Sequence, residues 1–155
     1  MEETLVMDAN LRNPSLHTSL KAGNDIGLAD ILEGRLNFEK SVKDLGAGLT
    51  LLSAGRVELN PITLLESHKM EELMKYVRDH YDVILVDCAD LRDYQDAHVL
   101  AEDVDGVIVT VNEGKTRRQV VQAEIAPLVK LKIPLLGAIL NGRTFPIPEK
   151  IYKRV

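Results

Sequence analysis

At 155 residues with 45% hydrophobic content, the chain is long enough for one domain whose core needs neither disulfides nor metals. A formal net charge of −5 gives no reason to expect a nucleic-acid or anionic-membrane surface, and a lone cysteine, Cys88, excludes an internal disulfide. No secretory leader pattern opens the sequence, and no apolar stretch approaches the roughly 20 residues of a membrane span. The expectation is therefore a cytoplasmic chain without direct membrane insertion, any link to the inner face of a membrane coming from a partner.

In chain order, Leu5-Val6-Met7 runs into Asp8 as a short buried strand. Helical signals come next at residues 28–33, closed by Gly34, and at 38–42 after a possible Asn37 cap. Residues 49–53 read as a strand, entered from Gly46-Ala47-Gly48. Asn60-Pro61 places a cap before a first-turn proline, and Met70, Leu73, Met74 and Val77 repeat at helical spacing, predicting one helix that ends near Asp79. Val83-Ile84-Leu85-Val86 runs into Asp87, residues 95–103 read as a helix, and Val107-Ile108-Val109-Thr110-Val111 runs into Asn112. A longer helix begins after Thr116, with Val121, Ile125, Leu128 and Val129 on one face and Pro127 expected to kink or break it. Residues 135–140 form the last strand. Continuous apolar runs, in place of alternating ones, are what parallel strands covered on both faces look like. Strands alternating with helices make the expected fold class α/β, a mostly parallel open sheet with helices on both faces.

Ligands of such sheets bind outside the carboxyl ends of the strands. Asp8 and Asp87 both stand at such ends. On neighbouring strands they form a carboxylate pair suited to Mg²⁺ and phosphate-transfer chemistry; a strand-end aspartate equally serves to cap the adjoining turn. His17, His68, His80 and His98 show no metal-type spacing among themselves or with Cys88, so no zinc site is expected. Lys115, Arg117 and Arg118 make a small basic cluster at a helix start, read as a solvated face.

Five segments carry a resemblance. Leu5-Val6-Met7-Asp8-Ala9-Asn10-Leu11-Arg12-Asn13-Pro14 resembles the second acidic motif, Walker A′, of the bacterial tyrosine autokinases of capsule and exopolysaccharide systems. Gly27-Leu28-Ala29-Asp30-Ile31-Leu32 and the block from Leu52-Ser53-Ala54-Gly55 to Asn60-Pro61-Ile62-Thr63-Leu64-Leu65-Glu66-Ser67 are similar to two further segments of that family. Tyr81-Asp82-Val83-Ile84-Leu85-Val86-Asp87 is similar to its Walker B strand. Asp96-Ala97-His98-Val99-Leu100-Ala101, with the residues around Gly106 and Gly114, is similar to the family's next segment in chain order. The first motif and the 60–67 block favour the kinase branch over the partitioning and cell-division ATPases of the same superfamily.

The resemblance implies a P-loop NTPase-like fold with Mg-ATP as the family's cofactor. It gives Asp8 and Asp87 the metal-binding and catalytic roles, and places Asn10 and Arg12 beside the nucleotide. Asn10 stands where the family has a second aspartate, and an amide can ligate a metal but cannot serve as a base. Asn141 matches a position near the adenine in related domains, and alternatively caps a turn. Asp87 is succeeded by Cys88-Ala89-Asp90 in place of a small residue and two prolines; Asp90 either compensates or is a solvated loop carboxylate. Tyr152, with Lys150, Lys153 and Arg154, falls where the family carries a tyrosine-rich tail.

The departure that matters most is a missing loop. Binding the phosphates of ATP takes a glycine-rich turn, a lysine and a Ser/Thr at a helix start, and the sequence contains no Gly-x-x-x-x-Gly-Lys-Ser/Thr. Gly46-Ala47-Gly48 enters a strand instead of leaving one, which fits a turn. The family's first strand and loop precede the Walker A′ motif, and that strand lies inside the sheet beside Walker B, so the expectation is that the sheet closes around a gap, that a partner covers its edges, or that the chain is a fragment of a longer protein. The expected partners are a second copy of the chain or a membrane polysaccharide co-polymerase subunit, and the expected activity of the chain alone is none.

Overall fold

The computed structural model describes residues 2–142, and the Tyr152 tail expectation lies outside them. The described residues form two compact units, one within residues 1–103 and one within residues 104–155.

In the first unit, β1 (Thr4–Asp8) lies between β3 (Leu49–Leu52) and β4 (Val83–Asp87), parallel to both. β2 (Val42–Gly46) pairs antiparallel to β3 and completes the order β2-β3-β1-β4. The apolar runs form the interior of this sheet, as their lack of alternation predicts, and Leu5, Met7, Leu51 and Leu52 are fully buried. Sequence alone gives no strand at β2, whose Lys43 and Asp44 are exposed. The turn joining it to β3 is Gly46-Ala47-Gly48, all three residues at positive φ, so the two glycines supply left-handed backbone for a hairpin. β4 closes one side of the sheet and is its edge strand within this unit.

The helices of this unit are short. After α1 (Leu16–Ser19), α2 (Leu28–Leu32) ends at Gly34, whose φ of 77° and N–H to the Ile31 carbonyl terminate it. α3 (Phe38–Ser41) starts at Asn37, whose side chain accepts the Lys40 N–H, as its position predicts. The single helix expected from residue 61 to 79 is instead two, α4 (Pro61–Leu65) and α5 (His68–Arg78). Ser67 causes the break: its Oγ donates to the Leu64 carbonyl and accepts the Met70 N–H, ending one helix and capping the next. Met70, Leu73, Met74 and Val77 then face the core. α6 (Asp96–Ala101) comes after the loop that leaves β4.

The second unit holds β5 (Val107–Asn112), α7 (Arg118–Lys130) and β6 (Leu135–Asn141), a parallel βαβ arrangement in which β5 and β6 form their own two-stranded sheet. The break expected at Pro127 is absent, because α7 runs on to Lys130. Pro127 sits one turn from the helix end, where its missing N–H removes a single hydrogen bond and the last carbonyls are still met by the Leu131 and Lys132 N–H groups.

Candidate functional site

The parallel register of β1 and β4 sets Asp8 directly beside Asp87 at the carboxyl end of both strands. The Ala9 N–H donates to the Asp87 carbonyl at 2.8 Å, extending the ladder one residue past the pair. Two carboxylates thus meet at one rim of the sheet, as strand-end placement predicts.

Their surroundings differ. Asp8 is fully buried, and the loop that leaves it folds back onto its carboxylate. Asn10 N–H donates to Oδ1 at 3.2 Å, while Ser15 and Leu16 N–H donate to Oδ2 at 3.1 and 3.0 Å. Of the roughly four lone-pair positions on a carboxylate, three are taken by backbone. Asp87 is half-buried and has no such donors; burial raises its pKa above the ordinary aspartate value, and the neighbouring Asp8 raises it further.

The Arg12 guanidinium is engaged within the protein. Its Nε and Nη2 donate to the two carboxylate oxygens of Asp96 at 2.8 and 3.0 Å, and its Cζ lies 4.1 Å from the centroid of the Tyr94 ring. Asp96, the first residue of α6, has no exposed surface. Sequence reasoning missed this partner: 84 residues separate the two, and no spacing rule connects a loop arginine to a distant helix start. Asn10 uses its side chain on the Asn13 N–H at 3.1 Å. Asp90 pairs with Arg92, which lowers its pKa, and its side chain is 47% exposed, so it is a solvated loop carboxylate. Cys88 is pushed up to about 11, first by burial and then by Asp87 and Asp96.

Asn141 ends β6 in register with Asn112, and its side chain accepts the Gly142 N–H at 2.8 Å, a turn-capping arrangement. It belongs to the second unit. Lys115 and Arg117 precede α7 and Arg118 begins it.

Toward Mg-ATP, the cofactor that the resemblance implies, the described residues offer the adjacent Asp8 and Asp87 carboxylates but no glycine-rich phosphate-binding turn. Mg²⁺ is held by one or two carboxylates together with phosphate oxygens and waters, but Asp8 is already capped by backbone. No group of three or more His, Cys, Asp or Glu among the described residues is placed to hold a metal ion, and no glycine-rich turn is present to hold phosphates.

No family model matches the chain. Among curated proteins it is 32% identical over 143 residues to the tyrosine-protein kinase YwqD of Bacillus subtilis, covering 92% of this chain and 60% of YwqD. It is also 32% identical over 148 residues to the succinoglycan biosynthesis transport protein ExoP of Rhizobium meliloti, covering 90% of this chain and 18% of ExoP. The chain thus spans less than two thirds of YwqD and under a fifth of ExoP. Among solved structures, the VpsO kinase domain superposes with a TM-score of 0.87 at 32% identity, over 93% of this chain and 72% of that one. The septum site-determining protein MinD of Pyrococcus horikoshii, complexed with Mg-ADP, superposes with a TM-score of 0.71 at 22% identity and shares the fold alone. No helix of the described residues is long and apolar enough to cross a membrane. With its motifs in order and its fold superposing on a kinase domain over nearly its full described length, the chain belongs to the bacterial tyrosine-protein kinase family.

Proposed function

We propose that the chain is a tyrosine-kinase-like domain of exopolysaccharide or capsular polysaccharide biosynthesis, that its Asp8–Asp87 rim is what remains of a Mg²⁺-nucleotide site, and that these 155 residues alone do not bind Mg-ATP. The observation that carries this reading is the register that sets Asp8 beside Asp87 at the strand ends. Similarity to ExoP, a biosynthesis transport protein, supports the polysaccharide context. The absence of a phosphate-binding loop supports the loss of ATP binding. Mg-ATP titrated into the purified chain should give no binding heat by calorimetry; clear micromolar binding would overturn the reading.

A second reading is favoured by the outer edge of β4. Its residues form an apolar run as far as Asp87, Leu85 is 53% exposed, and no proline or lysine interrupts the strand. Such an edge invites pairing. On this reading the chain is a non-catalytic regulator at the inner face of the membrane, docking on a membrane polysaccharide co-polymerase subunit or on a second copy of itself. Light scattering of the chain alone, and mixed with the cytoplasmic segment of such a subunit, distinguishes the two partners, and a monomer in both samples would reject the docking role.

A further inference from the structure

The loop from Asn10 to Ser15 is held mostly by its own neighbours. Its backbone N–H groups turn inward to Asp8 and to Asn10, all within eight residues of sequence. Leu11 is buried, and burial of an apolar side chain is non-directional. Among the described residues the long-range polar bonds of this loop are those of Arg12 to Asp96.

That attachment has geometric content. Both oxygens of Asp96 are used by a planar fork, and the same guanidinium lies against the Tyr94 ring. Lysine would provide charge without the fork or the planar face. Asp96 is entirely buried and Arg12 only 26% exposed at its side chain, so the pair is shielded from the solvent that weakens surface ion pairs. Tyr94 and Asp96 belong to the segment leaving β4, just as Arg12 belongs to the segment leaving β1.

We infer that Arg12 is a positioning residue, which through its fork on Asp96 and its contact with Tyr94 locks the loop leaving β1 to the segment leaving β4, holding the N–H donors of Ser15 and Leu16 on Asp8 and so fixing the shape of the carboxylate rim. The inference rests on the reading of that rim as the functional site and deepens it: Arg12 acts through Asp8 and need not touch a nucleotide.

Residue-resolved amide exchange by NMR tests this on the full chain, using Arg12→Lys and the double substitution Arg12→Met with Asp96→Leu. The double variant strands no buried charge, so it is expected to fold. In both variants the Ser15 and Leu16 amides should exchange at least about tenfold faster than in the parent, as expected when a local opening becomes easier. The Met74 and Val77 amides of α5 should keep their parent rates. A merely structural role would speed exchange at both places together, and that result, or unchanged rates at Ser15 and Leu16, would overturn the inference. Nucleotide does not enter the measurement, so failure here leaves the calorimetric test standing, and failure there leaves this one.

Discussion

Asp8 and Asp87 are register partners on adjacent parallel strands, yet one carboxylate accepts three backbone N–H groups and the other is left without such donors among the described residues. Proximity and asymmetry come from one cause. The chain turns back sharply after β1, so the N–H groups of residues 10, 15 and 16 reach Asp8. After β4 it proceeds toward Asp90, which pairs with Arg92. Asp87 therefore carries the electrostatic burden of the rim.

That burden predicts a stabilising substitution. The pKa of Asp87 is raised in the folded state, by burial first and by Asp8 second, so between the unfolded and folded values the native state binds more protons than the unfolded one. Stability attributable to this group therefore falls as pH rises through the folded pKa, and the penalty is absent below the unfolded value of 3.8. Asp87→Asn should raise unfolding stability near neutral pH by on the order of 1 kcal/mol, the scale of one incompletely satisfied buried polar group. The gain should vanish as the pH is lowered below the ordinary aspartate range. Urea unfolding of both proteins across pH 3 to 7 (about one unit apart) reads the difference, and a gain that persists in acid would exclude ionisation as its source.

Cys88 adjoins the same rim and provides a chemical probe of its burial. Raising the thiol from 9.0 to about 11 reduces the thiolate fraction at neutral pH by about a hundredfold, and the thiolate is the reacting species. Reaction with a disulfide reagent at pH 7 should accordingly be about a hundredfold slower in native protein than in urea. A native rate equal to the unfolded one would mean that the thiol is neither buried nor beside Asp87 and Asp96 as placed.

Ser67 holds two helices at one joint. Its hydroxyl donates to Leu64 at 2.6 Å and accepts from Met70 at 3.4 Å, so Ser67→Ala removes both the end bond of α4 and the cap of α5. The loss expected is about 1 kcal/mol, the usual cost of an N-cap. Thermal unfolding measures it, and Ser67→Asp, which keeps a capping oxygen, should recover most of it.

The parts of the fold that were legible are those where one physical requirement dominates. The apolar run ending in Asp8 marks a parallel interior strand, and the strand-end rule puts Asp8 and Asp87 each at a carboxyl end; that β1 and β4 are neighbours, with β4 at the edge of its four-stranded sheet, comes from the pairing itself. β2 was not legible because an edge strand with Lys43 and Asp44 facing water needs no apolar run, only a partner with free backbone groups. The joint at Ser67 was hidden because the apolar spacing of Met70, Leu73, Met74 and Val77 states which face is buried and not where the helix begins. The Arg12–Asp96 pair was invisible for a different reason: its partners meet only after β1 and β4 have paired, so no local pattern encodes it.

Gly27 shows how tightly one matched segment is fitted. The Leu28 and Ala29 N–H groups donate to the Ser53 and Ala54 carbonyls at 2.7 and 2.9 Å, and the Asp30 side chain accepts the Gly27 N–H at 2.8 Å. The start of α2 is thereby laid against the chain leaving β3. A Cβ on Gly27 would run into the Ser53 carbonyl oxygen and stand 2.5 Å from the Gly55 nitrogen. Both obstacles are backbone, so neither can rotate away. The φ of Gly27 is 177°, ordinary extended backbone, and the requirement for glycine is thus one of space and not of left-handed conformation. Gly27→Ala should cost about 3 kcal/mol, the upper range for forcing an added methyl into packed surroundings. A substitution at Gly23, where an added Cβ meets nothing within 4 Å, should cost only a few tenths of a kcal/mol, as expected at unconstrained surface positions. Urea unfolding of the two alanine variants provides the comparison, and equal losses would show that α2 does not lie against residues 53–55 as closely as the structure places it.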